Sequence, residues 1–365
     1  MQTTIEPMQD YAPFTARLLE WYKSNGRHDL PWQQGSSWYE RVLSEVMLQQ
    51  TQVSTVIPYY QRFIERFPTA EALAAAPDED VMSLWAGLGY YARCRNLLKA
   101  VRMIVYERGG VAPDSAAAWA ELPGIGLSTA GAIASFVSAE RAVMCDGNAK
   151  RSLARFFMIE GAPGERAFEK AVWEKAASLL PASPDMPAYT QALMDLGAML
   201  CRRTKPACQH CPMAELCAAR LAARTGDFPA RRARACRPVK YTTALVFVSE
   251  DGLWLTKRFD ETLWKDLWVP AMTPFVLESA DVSPQTLPWA KDMLRTQPMG
   301  ELVHDFTHFR LVIRPWVVSM RQDSSSGWQA GFKSFAMVKS ELPAMPAPFK
   351  KLIERVLDWK SLLLS

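Results

Sequence analysis

The chain offers no stretch of the roughly 18–20 consecutive apolar residues that a membrane-spanning helix requires, although 49% of its 365 residues are hydrophobic. Met1 to Asp10 lack the basic start, apolar run and small-residue cleavage site of a secretory signal. These two absences predict a soluble cytoplasmic protein with no membrane partner. Internal repeats and low-complexity segments are also missing, and the length suits two or three ordinary globular domains. Seven cysteines without a signal argue against a disulfide framework. Net charge is low as well, at +4.

That small charge is unevenly placed. Residues 202–240 hold ten basic and two acidic residues, a net +8 that leaves −4 for the rest of the chain. Such asymmetry points to a polyanionic partner, with a solvated basic linker as the plainer reading.

Residues 10 to about 225 carry apolar positions at helical spacing, as in Val42, Val46, Val53 and Val56. Short Pro- and Gly-containing breaks separate these segments. From Tyr241 to Val248 the sequence turns β-branched and aromatic. Glu250-Asp251-Gly252 predicts a turn, Leu253-Trp254-Leu255 a resumed strand, and 302–320 a second strand pair. Pro346 to Leu364 reads as a closing amphipathic helix. The expected fold is an all-α module joined to a smaller α+β module.

Cys201, Cys208, Cys211 and Cys217 follow the pattern C-x6-C-x2-C-x5-C. Four thiolates this close can surround one soft centre. A zinc ribbon would pair two C-x2-C units through a longer loop. The single C-x2-C therefore favours a [4Fe–4S] cluster, with zinc and free thiols as the other readings. Cys94, Cys145 and Cys236 read as ordinary thiols.

Leu122-Pro123-Gly124-Ile125-Gly126-Leu127-Ser128 reads as a tight turn followed at once by a helix. Gly124 and Gly126 permit close backbone approach, and the free N–H groups of the helix start suit a phosphate. Asp146 lies 20 residues after Gly126. An Asp there is either a helix N-cap or a functional carboxylate. Glu45 stands on a helix with Val42 and Leu48 three residues either side, so burial should raise its pKa.

The cysteine spacing, the helix–hairpin–helix turn and Asp146 together resemble the endonuclease-III-like glycosylase superfamily. Ser44-Glu45-Val46-Met47-Leu48-Gln49-Gln50-Thr51-Gln52-Val53 is similar to the signature of its MutY-type adenine glycosylases. Leu30-Pro31-Trp32, Gly87 to Arg93 and Gln191 to Ala198 resemble the same family, so the likeness runs along nearly the whole chain.

The resemblance implies a cluster domain from 1–27 and 141–225 and a six-helix barrel over 28–140. A basic linker at 226–240 and a Nudix-like domain over 241–365 would follow. It implies one [4Fe–4S] cluster on the four cysteines. It implies removal of adenine opposite 8-oxoguanine or guanine in double-stranded DNA, by a monomer. Glu45 would be the general acid, Asp146 the carboxylate facing the sugar cation, and Asn148 its orienting neighbour. Ser128 stands where bifunctional relatives carry a Lys, implying a monofunctional enzyme, with Lys150 near enough to trap sugar weakly. Gln49 and Tyr90 would wedge the duplex, and Gln191 would meet the flipped adenine. Arg202, Arg203 and Lys205 would meet phosphates. Phe306-Thr307-His308 resembles the Phe-Ser-His loop that reads 8-oxoguanine, with Thr in place of Ser. Leu263-Trp264-Lys265-Asp266-Leu267-Trp268 departs from the family's Gly-Leu-Trp-Gly-Gly, and the module lacks the Arg-Glu-x-x-Glu-Glu run of a Nudix hydrolase. Two rivals remain: a thymine or oxidised-pyrimidine glycosylase on the same scaffold, and a non-enzymatic cluster protein.

Overall fold

The computed structural model describes residues 12–35, 37–231, 237–257, 263–277, 284, 290–321 and 331–358. Cys236 and two linker arginines, Arg232 and Arg234, lie outside these residues. By contacts the chain divides into two compact units, Met1–Ala76 with Ala92–Arg234, and Pro77–Tyr91 with Ala235–Ser365.

The described part of the first unit is helical. It contains α1 (Ala12–Asn25), α2 (Trp38–Leu48), α3 (Val53–Arg66) and α4 (Ala70–Ala75). After the excursion through α5 (Asp78–Trp85) come α6 (Tyr91–Arg102), α7 (Ala116–Ala120), α8 (Leu127–Ser138) and α9 (Gly147–Phe157). Then follow α10 (Arg166–Ser178), α11 (Met186–Asp195) and α12 (Ala218–Leu221). Side-chain caps start several of these helices. Ser37 and Glu40 form a reciprocal capping box at α2, with both bonds at 3.2 Å. Thr69 and Ser115 cap α4 and α7. Phe14 and Leu18 of α1 share a buried cluster with Leu153 of α9, Phe168 of α10 and Leu193 of α11.

Two glycines set how closely chain segments approach. Gly124 has φ +78°, and a Cβ there would stand 2.7 Å from that of Asn96. A Cβ at Gly131 in α8 would stand 2.0 Å from the Val143 carbonyl oxygen. The missing side chain lets segment 143–146 lie directly on α8.

The second unit has a mixed sheet ordered β3-β2-β1-β7-β5, with β4 on β1, β6 on β7 and β8 on β2. The strands are β1 (Val239–Ser249), β2 (Gly252–Lys257), β3 (Trp268–Val269) and β4 (Ala271–Met272), then β5 (Met293–Pro298), β6 (Leu302–Asp305), β7 (Arg310–Met320) and β8 (Phe332–Phe335). β1 and β7 pair in parallel. From Thr242 to Ser249 every residue of β1 is buried, as a strand covered on both faces requires. The closing helix α13 (Ala347–Asp358) buries Phe349, Leu352, Ile353 and Val356, the expected amphipathic stripe. This mixed sheet with its helix is consistent with the implied Nudix-like architecture.

The anticipated β1, β2, β6, β7 and α13 are present, whereas β3, β4, β5 and β8 gave no clear signal. β3 and β4 have two residues each, and β5 and β8 are largely half-exposed. Pro77–Tyr91, read from the sequence as part of the first module, groups with the second. Trp268 Nε1 donates to Glu79 at 3.1 Å, Lys257 pairs with Glu79 at 3.5 Å, and Tyr91 Oη donates to the Met345 carbonyl at 3.2 Å.

Candidate active site

Glu45, Gln49, Ser128, Asp146, Asn148 and Arg27 line one cleft of about 180 Å³ in the first unit. Glu45 and Gln49 come from the end of α2. Arg93, buried, fastens that end by donating to the carbonyls of Val46 at 3.1 Å, Met47 at 2.7 Å and Gln49. These carbonyls otherwise have no partner within the helix. Gln49 Nε2 donates to the Gly124 carbonyl and the Thr129 hydroxyl, both at 3.3 Å, which ties α2 to the hairpin.

Asp146 is the N-cap that the sequence offered as one reading, and the residue also borders the cleft. It N-caps α9, its Oδ1 accepting from Asn148 N at 2.9 Å and Ala149 N at 2.7 Å, and it lines the cleft. Burial pushes its pKa up, while the two amide donors and then Arg151 and Lys150 pull it back down. Burial, then the Asp146 charge, pushes Glu45 up to about 7 against the opposing Arg41. The cleft thus pairs a carboxylic acid poised near neutrality with a second, amide-braced carboxyl. Such a pair can protonate a leaving group and stabilise a cation.

Asn148 meets Asp146 through its backbone N–H. Its side-chain oxygen instead accepts from Arg151 at 2.8 Å, and Arg151 also donates to the Cys201 carbonyl at 2.8 Å. Ser128 Oγ accepts from Cys145 N at 3.0 Å. Lys150 pairs with Glu169 at 2.5 Å. Gln191 lies outside the cleft: its amide donates to Asp195 Oδ1 at 2.9 Å, and it lines a separate cavity with Tyr22 and Arg41. Tyr90 is 51% exposed at φ +49° and does not line the cleft.

Sequence reasoning missed Arg27 and Asp195. Arg27 donates Nε and Nη2 to Asp195 Oδ1 at 2.9 and 2.6 Å, and its backbone N–H to Oδ2 at 2.7 Å. Arg93, Arg151 and Arg155 were also unassigned, because a buried arginine's partners are carbonyls distant in sequence.

The hairpin turn at Gly124–Gly126 leads into α8, whose start has no side-chain cap. Its outward N–H groups suit an anion. Arg202, Arg203 and Lys205 are exposed on the loop between Cys201 and Cys208. Arg155 holds that loop by donating to the Arg202 and Arg203 carbonyls at 2.7 and 3.1 Å.

Cys201, Cys208, Cys211 and Cys217 line a common cavity. Arg155 Nη1 donates to Cys201 Sγ at 3.4 Å, which places a cation beside this group of sulfurs. Four soft donors around shared space fit a polynuclear cluster. One zinc ion would draw four sulfurs to about 3.8 Å from one another, given 2.3 Å bonds in a tetrahedron. Among the described residues no group of three or more His, Cys, Asp or Glu side chains is arranged to hold a metal ion.

In the second unit, Phe306 N donates to the Phe309 carbonyl at 2.9 Å, and Arg310 grips Asp305 at 2.7 and 3.0 Å. This hairpin between β6 and β7 leaves Thr307 and His308 exposed at its tip. The Phe306 and Phe309 rings stack at 4.7 Å, and Trp264 packs 5.5 Å from Phe306.

Residues 43–178 match the model of the HhH-GPD superfamily of base excision DNA repair proteins. The chain is 33% identical to an adenine DNA glycosylase of Buchnera aphidicola subsp. Acyrthosiphon pisum over 346 residues, 93% of this chain and 97% of that one. It is 32% identical to the mouse adenine DNA glycosylase, covering 89% of this chain and 75% of that one. The solved structure of a thermostable thymine-DNA glycosylase is 26% identical, with a TM-score of 0.51 over 57% of this chain and 95% of its own. The likeness to adenine glycosylases runs far beyond the shared helical scaffold, and the chain belongs to the adenine DNA glycosylase family, making it a DNA N-glycosylase of base excision repair.

Proposed function

We propose that this enzyme removes adenine mispaired with 8-oxoguanine or guanine from double-stranded DNA, with Glu45 as general acid and Asp146 facing the sugar cation. The observation that carries this reading is the meeting of Glu45 and Asp146 in one cleft, with Glu45 poised near pH 7. The adenine leaves the stack and enters the cleft. Glu45 gives its proton to N7 as the C1′–N9 bond breaks, and the bonding electron pair passes to the purine. Ionised Asp146 stabilises the oxocarbenium ion left behind. Glu45, now a carboxylate, takes a proton from the water that adds to C1′. Asn148 supports Asp146 through its backbone N–H.

Ser128 provides a hydroxyl where strand-cleaving chemistry needs an amine, so the enzyme is monofunctional with at most weak lyase activity. The N–H groups after Gly124 and Gly126, with Arg202, Arg203 and Lys205, bind phosphates. Gln49 and Tyr90 fill the opened duplex; Gln191 reaches the adenine edge only once its amide leaves Asp195, to which it is bonded outside the cleft. Phe306, Thr307 and His308 read the opposing 8-oxoguanine. The boundaries are those of the resemblance: 1–27 with 141–225, 28–140, a linker at 226–240, and 241–365. The enzyme acts as a cytoplasmic monomer.

The four cysteines hold one [4Fe–4S] cluster. When bound, it supplies a one-electron redox centre and a clamp on loop 201–217, and no step of base removal passes through it.

Single-turnover excision compares duplexes with adenine opposite 8-oxoguanine, guanine and cytosine. The expected order is 8-oxoguanine, then guanine, then cytosine, and Glu45→Gln should lose about 100–10,000-fold. A near-parental rate in Glu45→Gln overturns the acid assignment. Equal rates on all three duplexes overturn the substrate.

A further inference from the structure

Ser152 stands on α9 and lines the cavity shared by Cys201, Cys208, Cys211 and Cys217. It is 5% exposed, and its hydroxyl has no hydrogen-bond partner among the described residues. A helical serine commonly donates to the carbonyl one turn back. A buried hydroxyl left without a partner keeps the full cost of its lost hydration. Apart from the Thr225 hydroxyl, the acceptors among the side chains lining this cavity are sulfurs. Arg155, one turn further along α9, already donates to one of them, Cys201 Sγ. The same helix thus lines the cavity of the four cysteines with two donors, one of them without a partner among the described residues.

We infer that the Ser152 hydroxyl donates a hydrogen bond to a sulfur of the bound cluster and raises its reduction potential. The inference rests on the cluster reading above. Reduction adds one negative charge to the cluster, so a donor aimed at its sulfur stabilises the reduced state more than the oxidised one. Ser152 takes no part in base removal; it tunes the centre held by loop 201–217.

The test uses the full-length enzyme bound to duplex DNA, as parent, Ser152→Ala and Ser152→Thr. Alanine is the better helix former and leaves no buried polar group without a partner, so folding is preserved. Iron and sulfide are assayed first, then the potential by dye-mediated titration. The expected result is equal loading in all three proteins. At the parent's midpoint, Ser152→Ala should show about a tenfold smaller reduced-to-oxidised ratio, equivalent to about 59 mV for one electron. Ser152→Thr, which keeps the hydroxyl, should return toward the parent. Electron–nuclear double resonance in D2O should show an exchangeable deuteron coupled to the cluster in the parent and lost in Ser152→Ala. A loaded Ser152→Ala with the parent's potential and the parent's deuteron coupling overturns the inference, including the case where the hydroxyl serves only a trapped water. A parent free of iron overturns the cluster reading itself, and the two failures are distinct.

Discussion

Across the cleft, the Asp146 carboxylate helps hold Glu45 in its neutral form. With Glu45 as the proposed general acid, the single-turnover excision rate should fall about tenfold per pH unit above about 7. The same shift sets a sign for stability. The folded pKa of about 7 exceeds the ordinary 4.5, so the native state binds more protons between those values. Its contribution is fully present below 4.5 and is lost as pH rises through 7. The melting temperature of Glu45→Gln should therefore gain on the parent over this range. A gap that is constant with pH, measured by scanning calorimetry, refutes the assignment.

Asp195 is fully buried and takes three bonds from Arg27 and one from Gln191. Asp195→Asn leaves the Arg27 cation facing a neutral amide. We expect about 3–5 kcal/mol of destabilisation in urea melts. A loss below 1 kcal/mol would mean that Arg27 finds water instead.

Gly131→Ala puts a methyl group where the Val143 carbonyl oxygen stands 2.0 Å away. Segment 143–146 must shift, and with it the Asp146 carboxyl and the Ser128–Cys145 bond. A displacement near 1 Å at a reacting group costs about 100-fold in rate. The prediction is a folded protein with that loss in single-turnover excision. Parental kinetics would place the carboxyl's support elsewhere.

Ser128 faces the cleft. Ser128→Lys should bring an amine to the sugar and add strand cleavage through an imine formed with loss of water. Borohydride trapping reads it, in a background where Lys150→Ala removes the neighbouring amine. Trapping no greater than in that background removes residue 128 from the sugar's side. The Cys145 N–H also loses its acceptor, so about 1 kcal/mol of stability should go with it.

Thr307 and His308 sit exposed on a hairpin pinned by Asp305–Arg310 and by the Phe306–Phe309 backbone bond. Replacing both with Ala should leave stability within about 0.5 kcal/mol. The preference for 8-oxoguanine over guanine should fall about tenfold, the worth of one hydrogen bond. An unchanged ratio of excision rates moves recognition to another surface.

Local chemistry made much of this protein legible. Helical spacing, the Gly124–Gly126 turn, the apolar run from Ala244 to Val248 in β1 and the stripe of α13 all arise from near neighbours in the chain, so the sequence carries them directly. The cysteine spacing and the surroundings of Glu45 belong to the same class. Two readings of Asp146 looked exclusive in the sequence, yet its carboxyl both caps α9 and lines the cleft. Position alone decides that, because one carboxyl has acceptor sites for two backbone amides and a face left over. Long-range partners stayed hidden. The Arg27–Asp195 pair, the fastening of α2 by Arg93 and the grouping of Pro77–Tyr91 with the second unit join residues far apart in sequence. A guanidinium seeking carbonyls leaves no periodic trace, since every residue offers the same carbonyl. Which of them it meets is fixed only when the helices pack.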